Sequence, residues 1–170
     1  WYYRERLLKN NSNFVWCDPV HEVIVPNGKI VYENIPIKHC KIKQGDPFRN
    51  LKIYQKIIKE GVKLSPRQLF YYANELYYNR LFDEAICIYE KFLKDGGMID
   101  NVIQACLNLS KIYKIKGDRK KALQILFGSF MYSTPKAEVL CEIGGHFLEL
   151  KDYASALFWY EKAISDITPK

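Results

Sequence analysis

A 170-residue chain that is 48% hydrophobic and 15% aromatic has enough apolar mass to bury a core, which excludes a disordered tail. Its net charge of +7 is lopsided: residues 1–63 hold 12 Lys and Arg against 6 Asp and Glu, whereas residues 64–170 hold 14 against 13. The near-neutral second part argues against a nucleic-acid surface there, no apolar run reaches the length of a membrane span, and no signal peptide opens the chain.

The chain enters on Trp1, Tyr2, Tyr3 and Arg4 and reads as cut from something longer. Five cysteines, Cys17, Cys40, Cys87, Cys106 and Cys141, form no CxxC pair, so reduced thiols and the cytoplasm are the expectation. Three of them fall on apolar stripes of predicted helices, where a small hydrophobe is the plain reading.

Within the first 43 residues, Val20 to Val25 and Lys29 to Tyr32 read as strands around a Pro26-Asn27-Gly28-Lys29 turn. Ile35 to Ile42 alternates well enough for a third strand. Strand alternation puts His21 and Glu22 on opposite faces and leaves His39 near the end of its strand. Three strands cannot close a core, so they are expected to complete a sheet whose other strands lie outside this chain. Cys17, His21, His39 and Cys40 offer four metal-ligating side chains. His39 and Cys40 are adjacent in a strand and point apart, however, and no pair has tight ligand spacing, which argues against zinc. A lone structural histidine is the plain alternative for His21.

Residues 44–63 form a connector. Asp46 is placed to cap a helix with Pro47 at its first position, and Phe48 to Glu60 reads as that helix. Leu51, Tyr54, Ile57 and Ile58 make an apolar stripe expected to dock on the first helical repeat beyond residue 63. Arg49, Lys52, Lys56 and Lys59 lie toward the other side, as a solvated face or one turned to a phosphate-bearing ligand.

From residue 64 onward the chain repeats. Three pairs of amphipathic helices are predicted: Pro66 to Tyr78 with Phe82 to Leu93, about Asn101 to Ile115 with Arg119 to about Phe130, and Pro135 to Leu150 with Tyr153 to Ile167. Each second helix carries a small residue, Ala85, Ala122 or Ala156, at separations of 37 and 34 residues, and the Gly96-Gly97-Met98 loop absorbs the extra three. Each first helix repeats a large, large, small, large spacing: Leu69/Tyr72/Ala73/Leu76, Cys106/Leu109/Ser110/Tyr113 and Leu140/Ile143/Gly144/Phe147. The small residue lets two backbones approach while the large ones fill the groove. Asp83-Glu84-Ala85 and the run Tyr153 to Ala163 closely resemble tetratricopeptide repeats, over roughly residues 65–168. At helical spacing Tyr72 and Leu76 read as core, and only Tyr71 and Tyr78 are left to face outward.

The first segment carries a second resemblance. The order Arg4-Glu5-Arg6-Leu7-Leu8-Lys9-Asn10, then Phe14-Val15-Trp16-Cys17-Asp18-Pro19-Val20-His21-Glu22, then Ile37-Lys38-His39 is similar to the C-terminal end of a family 2, GT-A type glycosyltransferase catalytic domain. Asp18 stands where that family commonly has glycine. Bacterial peptide S- and O-glycosyltransferases of this kind are followed by tetratricopeptide-like helices, as here. The fold class expected is thus mainly α, a helical-hairpin solenoid preceded by a short β-containing remnant of an α/β domain.

The resemblance implies a nucleotide-sugar donor, a peptide or protein acceptor, and Mg or Mn at the diphosphate. It implies Glu22 as base, His21 beside it on the acceptor side, Arg6 and Trp16 in substrate binding, and His39 at the metal. No Asp-x-Asp motif occurs in the 170 residues and no nucleotide-holding half precedes these motifs, so this chain alone is expected to be inactive. The repeats would then bind the acceptor or form a homodimer. The rival expectation is a non-enzymatic tetratricopeptide adaptor.

Overall fold

The computed structural model describes residues 7–9, 14–25, 28–36, 38, 40 and 45–165. The chain divides into two compact units, Trp1–Lys63 and Leu64–Lys170, with the boundary where the repeats begin.

In the first unit the described strands are β1 (Trp16–Cys17) and β2 (Val23–Ile24), paired antiparallel with Trp16 opposite Ile24 and Cys17 opposite Val23. The expected strand from Val20 is shortened to two residues, because Asp18 and His21 take left-handed backbone with φ of 68° and 57°. Left-handed backbone ends a strand, so His21 and Glu22 lie in the loop closing this hairpin and alternation does not govern them. The loop between the paired strands thus sits earlier than the predicted turn, whose Pro26 and Asn27 lie outside the described residues. Lys29 to Tyr32 forms no strand, nor do the described residues of the Ile35 to Ile42 segment; Ile37, His39 and residues 41–42 lie outside the described residues. Residues 28–36 are exposed, and an alternating pattern with no neighbouring ladder has nothing to hold it as a strand.

Helix α1 spans Arg49–Lys59 in the same unit and buries Leu51 and Tyr54. Its N-cap is Phe48 rather than Asp46. The Asp46 carboxylate instead accepts from the Phe48 N–H at 2.8 Å and from Lys52 Nζ at 2.7 Å, an Asx-type turn that leads into the helix.

The second unit is mainly α and built from three helical hairpins: α2 (Pro66–Tyr78) with α3 (Phe82–Asp95), α4 (Ile99–Ile115) with α5 (Arg119–Gly128), and α6 (Ala137–Glu149) with α7 (Tyr153–Ser165). A 3-10 turn at Ser129–Met131 finishes the second hairpin. Ser65 starts α2 with a full capping box: its Oγ accepts from the Gln68 N–H, and its own N–H donates to Gln68 Oε1. Asp118 and Asp152 accept from the N–H groups of Lys121 and Ser155 at the starts of α5 and α7.

The turn inside each hairpin is one structure used three times. Arg80, Gly117 and Lys151 have φ of 61°, 83° and 61°, and the residue after each donates back to Leu76, Tyr113 or Phe147. That is the six-to-one closure of a Schellman turn. The small residues of the second helices are buried as the repeat requires, with Ala85, Ala122 and Ala156 at 2% exposure or less. Gly144 meets Tyr160 so closely that a Cβ there would lie 2.9 Å from the ring.

The cysteine expectation is corrected in two of three places. Cys106 is buried, but Cys87 and Cys141 are exposed. Among the described residues no helix is long and apolar enough to cross a membrane.

Candidate functional site

The inner face of the repeats is set by which helices touch. Helix α2 packs on α4 and α4 on α6, while among the described residues the α3 and α5 backbones stay apart and α5 reaches α7 through side chains, the Phe127 and Trp159 rings lying 5.4 Å apart. Closer approach on one side curves the array toward the first helices, so α2, α4 and α6 line its inner face. Side chains that bridge them mark that face: Asn74 to Asn108, Lys111 to Glu142 at 3.4 Å, and Lys114 to Glu149.

Spacing extends these marks into stripes. Arg67, Tyr71, Asn74 and Tyr78 lie along α2 at helical intervals. Shifted by the repeat length, the same places on α4 hold Gln104, Asn108, Lys111 and Ile115, and on α6 Glu138, Glu142, Gly145 and Glu149. The face thus runs from aromatic and basic at α2 to acidic at α6. Arg67 sits over the Tyr71 ring at 5.0 Å, a cation–π contact, and Tyr78 is 73% exposed. Between α4 and α6 a cleft of about 210 Å³ is lined by Asp100, Ile103, Gln104, Leu107, Lys136 and Glu138.

A polar network fixes the middle of this face. Asn108 is 4% exposed, and its Nδ2 donates to Tyr89 Oη at 2.8 Å and to Asn74 Oδ1 at 3.1 Å. Tyr89 Oη donates to Asn74 Oδ1 at 2.6 Å, and Gln104 Nε2 donates to Asn108 Oδ1 at 2.9 Å. Three helices from two repeats meet in this network, which is what makes a buried amide tolerable. Burial holds the Tyr89 phenol well above its ordinary pKa, so it acts here as a neutral hydroxyl.

At the far end, Glu149 takes Lys114 and, at 3.5 Å, Arg119, and its hydrogen bond with Lys114 holds its carboxyl below the usual range. His146, next to this cluster and 8% exposed, has its pKa lowered by burial. Glu149 pulls it up, but burial together with Lys114 and Arg119 prevails.

Of the residues singled out in the first segment, His21, Glu22 and Trp16 lie among the described residues. His21 is exposed in the hairpin loop, and Glu22 beside it lies 3.8 Å from Arg49 of α1. Trp16 is 63% exposed on β1. Arg6 and His39 lie outside the described residues. Among the described residues no three His, Cys, Asp or Glu side chains converge.

The sequence reading reached Tyr71 and Tyr78 but missed Asn74, Asn108, Lys111 and Glu142. Applying the 37- and 34-residue shifts to the polar positions, as was done for the alanines, would have found them.

No protein-family model matches the chain, and no curated protein matches it. Among solved structures it is similar to a chain described as "MamA RS-1 ArsTM double mutant", at 14% identity and a TM-score of 0.36, over 71% of this chain and 85% of that one.

Proposed function

We propose that the helical repeats are a protein-interaction module whose inner face holds a partner polypeptide. The observation that carries this is the continuous stripe of accessible aromatic, amide and charged side chains across α2, α4 and α6, held in place by the buried Asn74–Tyr89–Asn108 network. A fixed face with aromatic anchors and amide groups binds a chain at low ordering cost. The test is display selection of peptides on the 170-residue chain, followed by binding to the Tyr78→Ala and Gln104→Ala variants. Both side chains are exposed, so the fold is kept. Selected peptides that bind these variants as tightly as the parent would remove the inner face from the proposal.

A second reading takes the first unit into account. Trp16, Val25, Ile30, Val31, Tyr32 and Ile35 are all more than half exposed, an apolar load that two short strands leave uncovered. Further strands of a family 2 glycosyltransferase domain would cover it, with the repeats as the acceptor-binding or dimerisation module of that enzyme. Glu22 would then serve as base beside His21, Trp16 and Arg6 would contact substrate, and His39 would take part in holding a divalent metal. The check is nucleotide-sugar turnover by the complete gene product, with and without Glu22→Gln. Absence of turnover across common donors, or full activity of the variant, would set this reading aside.

A further inference from the structure

The cleft between α4 and α6 exists because these helices differ in length. Shifted by the repeat length, the first residues of α2 and α6, Pro66 and Ala137, both fall on Ile103. Helix α4 starts four residues earlier, at Ile99, and so carries about one extra turn beyond both neighbours. On α6 that turn is denied by Pro135, which disfavours helical backbone at Thr134, and Lys136 follows in extended backbone with ψ of 146°. Where α6 stops short, one face of α4 stays open: Asp100, Ile103, Gln104 and Leu107 at helical spacing.

Floor and rim of this cleft differ in kind. Ile103 and Leu107 make the floor, and both belong to the apolar cluster with Leu126, Val139 and Ile143. The rim holds carboxylates from two helices, Asp100 of α4 and Glu138 of α6. Among the described residues the side chains of Asp100, Glu138 and Lys136 enter no ion pair or hydrogen bond. Glu142 and Glu149, further along α6, are by contrast engaged by Lys111, Lys114 and Arg119. Gln104 adds a further acceptor. Its Nε2 donates to Asn108 Oδ1, the end of that amide not spent on Tyr89 and Asn74, so Gln104 Oε1 is the atom left for a ligand. Two carboxylates against the ammonium of Lys136 leave the cleft negative and rich in acceptors.

We propose, on the reading that the inner face holds a partner polypeptide, that this cleft seats an arginine side chain of that partner. A guanidinium carries donors and no acceptor, in a planar fork, and so matches a rim of acceptors. Its methylene stem lies along Ile103 and Leu107, as long charged side chains do on apolar surface. Lysine brings the same charge as a compact point that does not fork between Asp100 and Glu138. An acidic side chain meets two like charges and an amide oxygen.

The test uses peptides selected by display on the 170-residue chain, the tightest of them labelled with fluorescein and titrated by anisotropy. It is expected to contain an arginine whose replacement by citrulline, the neutral isostere, weakens binding about ten-fold. Against the Asp100→Asn/Glu138→Gln double variant the same replacement should cost less than about two-fold. Lys136→Gln should tighten binding about two-fold. Both acids are exposed, so the double variant keeps the fold, checked by circular dichroism. A citrulline penalty equal in the two proteins overturns the proposal, as does a selected set without arginine. So does a set rich in Asp and Glu that Lys136→Gln weakens, since the occupant is then acidic. Tyr78→Ala, on α2 and outside the cleft, reads the inner face separately. Peptides weakened by it yet indifferent to the double variant overturn the cleft alone; peptides indifferent to both overturn the inner-face reading as well. A second measurement needs no selected peptide: N-acetylarginine methylamide is titrated against the nitrogen-15-labelled chain by NMR. Saturable shifts at Ile103, Gln104, Leu107 and Glu138, lost in the double variant, are expected, and their absence overturns the proposal.

Discussion

Asn108 of the second repeat donates to the Tyr89 hydroxyl of the first at 2.8 Å, inside the contact between their helices. Both residues are buried, and the bond ties the repeats by a directional contact beside the one from Asn108 to Asn74. Asn108→Ala is expected to lower the unfolding free energy by about 2 kcal/mol, and Tyr89→Phe by about 1 kcal/mol. In the double variant the losses should fall short of their sum, because each single change removes the same bond. Strict additivity in urea unfolding would show that the two do not act together.

The two glycines of the loop between the first and second repeats act for different reasons. Gly96 has φ of 78° and ψ of 177°, a conformation open to glycine almost alone. Gly97 has ordinary backbone, but a Cβ there would lie 2.6 Å from the ring of Phe92, which is fully buried. Gly97→Ala, on an exposed loop, should therefore cost about 1–3 kcal/mol, the range for overpacking. A thermal melt matching the parent would contradict this.

The hairpin turns allow a comparison in both directions. Arg80 and Lys151 hold the left-handed conformation that Gly117 holds in the middle repeat. Lys151→Gly should stabilise by about 0.5–1 kcal/mol, because relief of left-handed strain exceeds the entropy gained by the unfolded chain. Gly117→Ala should destabilise by about 1 kcal/mol. The signs are opposite, and denaturant midpoints read them directly.

His146 sets a pH dependence. Its folded pKa lies below the ordinary 6.5 because burial disfavours the charged ring. The unfolded chain therefore binds the proton first, so stability is full above the ordinary value and is lost as pH falls through it toward the lower folded value. Unfolding midpoints should drop on going from neutral to mildly acidic buffer, before the carboxylates Glu149 and Asp152 begin to titrate. His146→Gln should flatten that slope, and a slope that persists would assign it elsewhere.

The thiols should separate into two classes. Burial pushes the Cys106 thiol up to about 11, whereas Cys17, Cys40, Cys87 and Cys141 are exposed. Alkylation at neutral pH with mass readout should label those four and leave Cys106 until the chain is unfolded.

The period of alanines and the large, large, small, large pattern made the repeats legible without coordinates, because both express local helix geometry that each hairpin obeys by itself. The first unit was less legible. Alternation predicted strands at Val20 and Lys29, but whether alternating residues pair depends on a neighbouring ladder, and the left-handed backbone at His21 ended the pattern. Helix ends also moved, with α4 starting at Ile99 and α6 at Ala137, since last turns answer to packing and capping as much as to propensity.

By itself the sequence determined the helical hairpins, their period and their buried small residues, because those follow from spacing along one chain. Only the tertiary structure decided which polar residues meet. Asn74, Tyr89 and Asn108 are 15 and 19 residues apart in sequence, and only the packing of three helices brings their side chains within 3.1 Å. The exposure of Leu157 and Ile164 on α7 was likewise a tertiary fact.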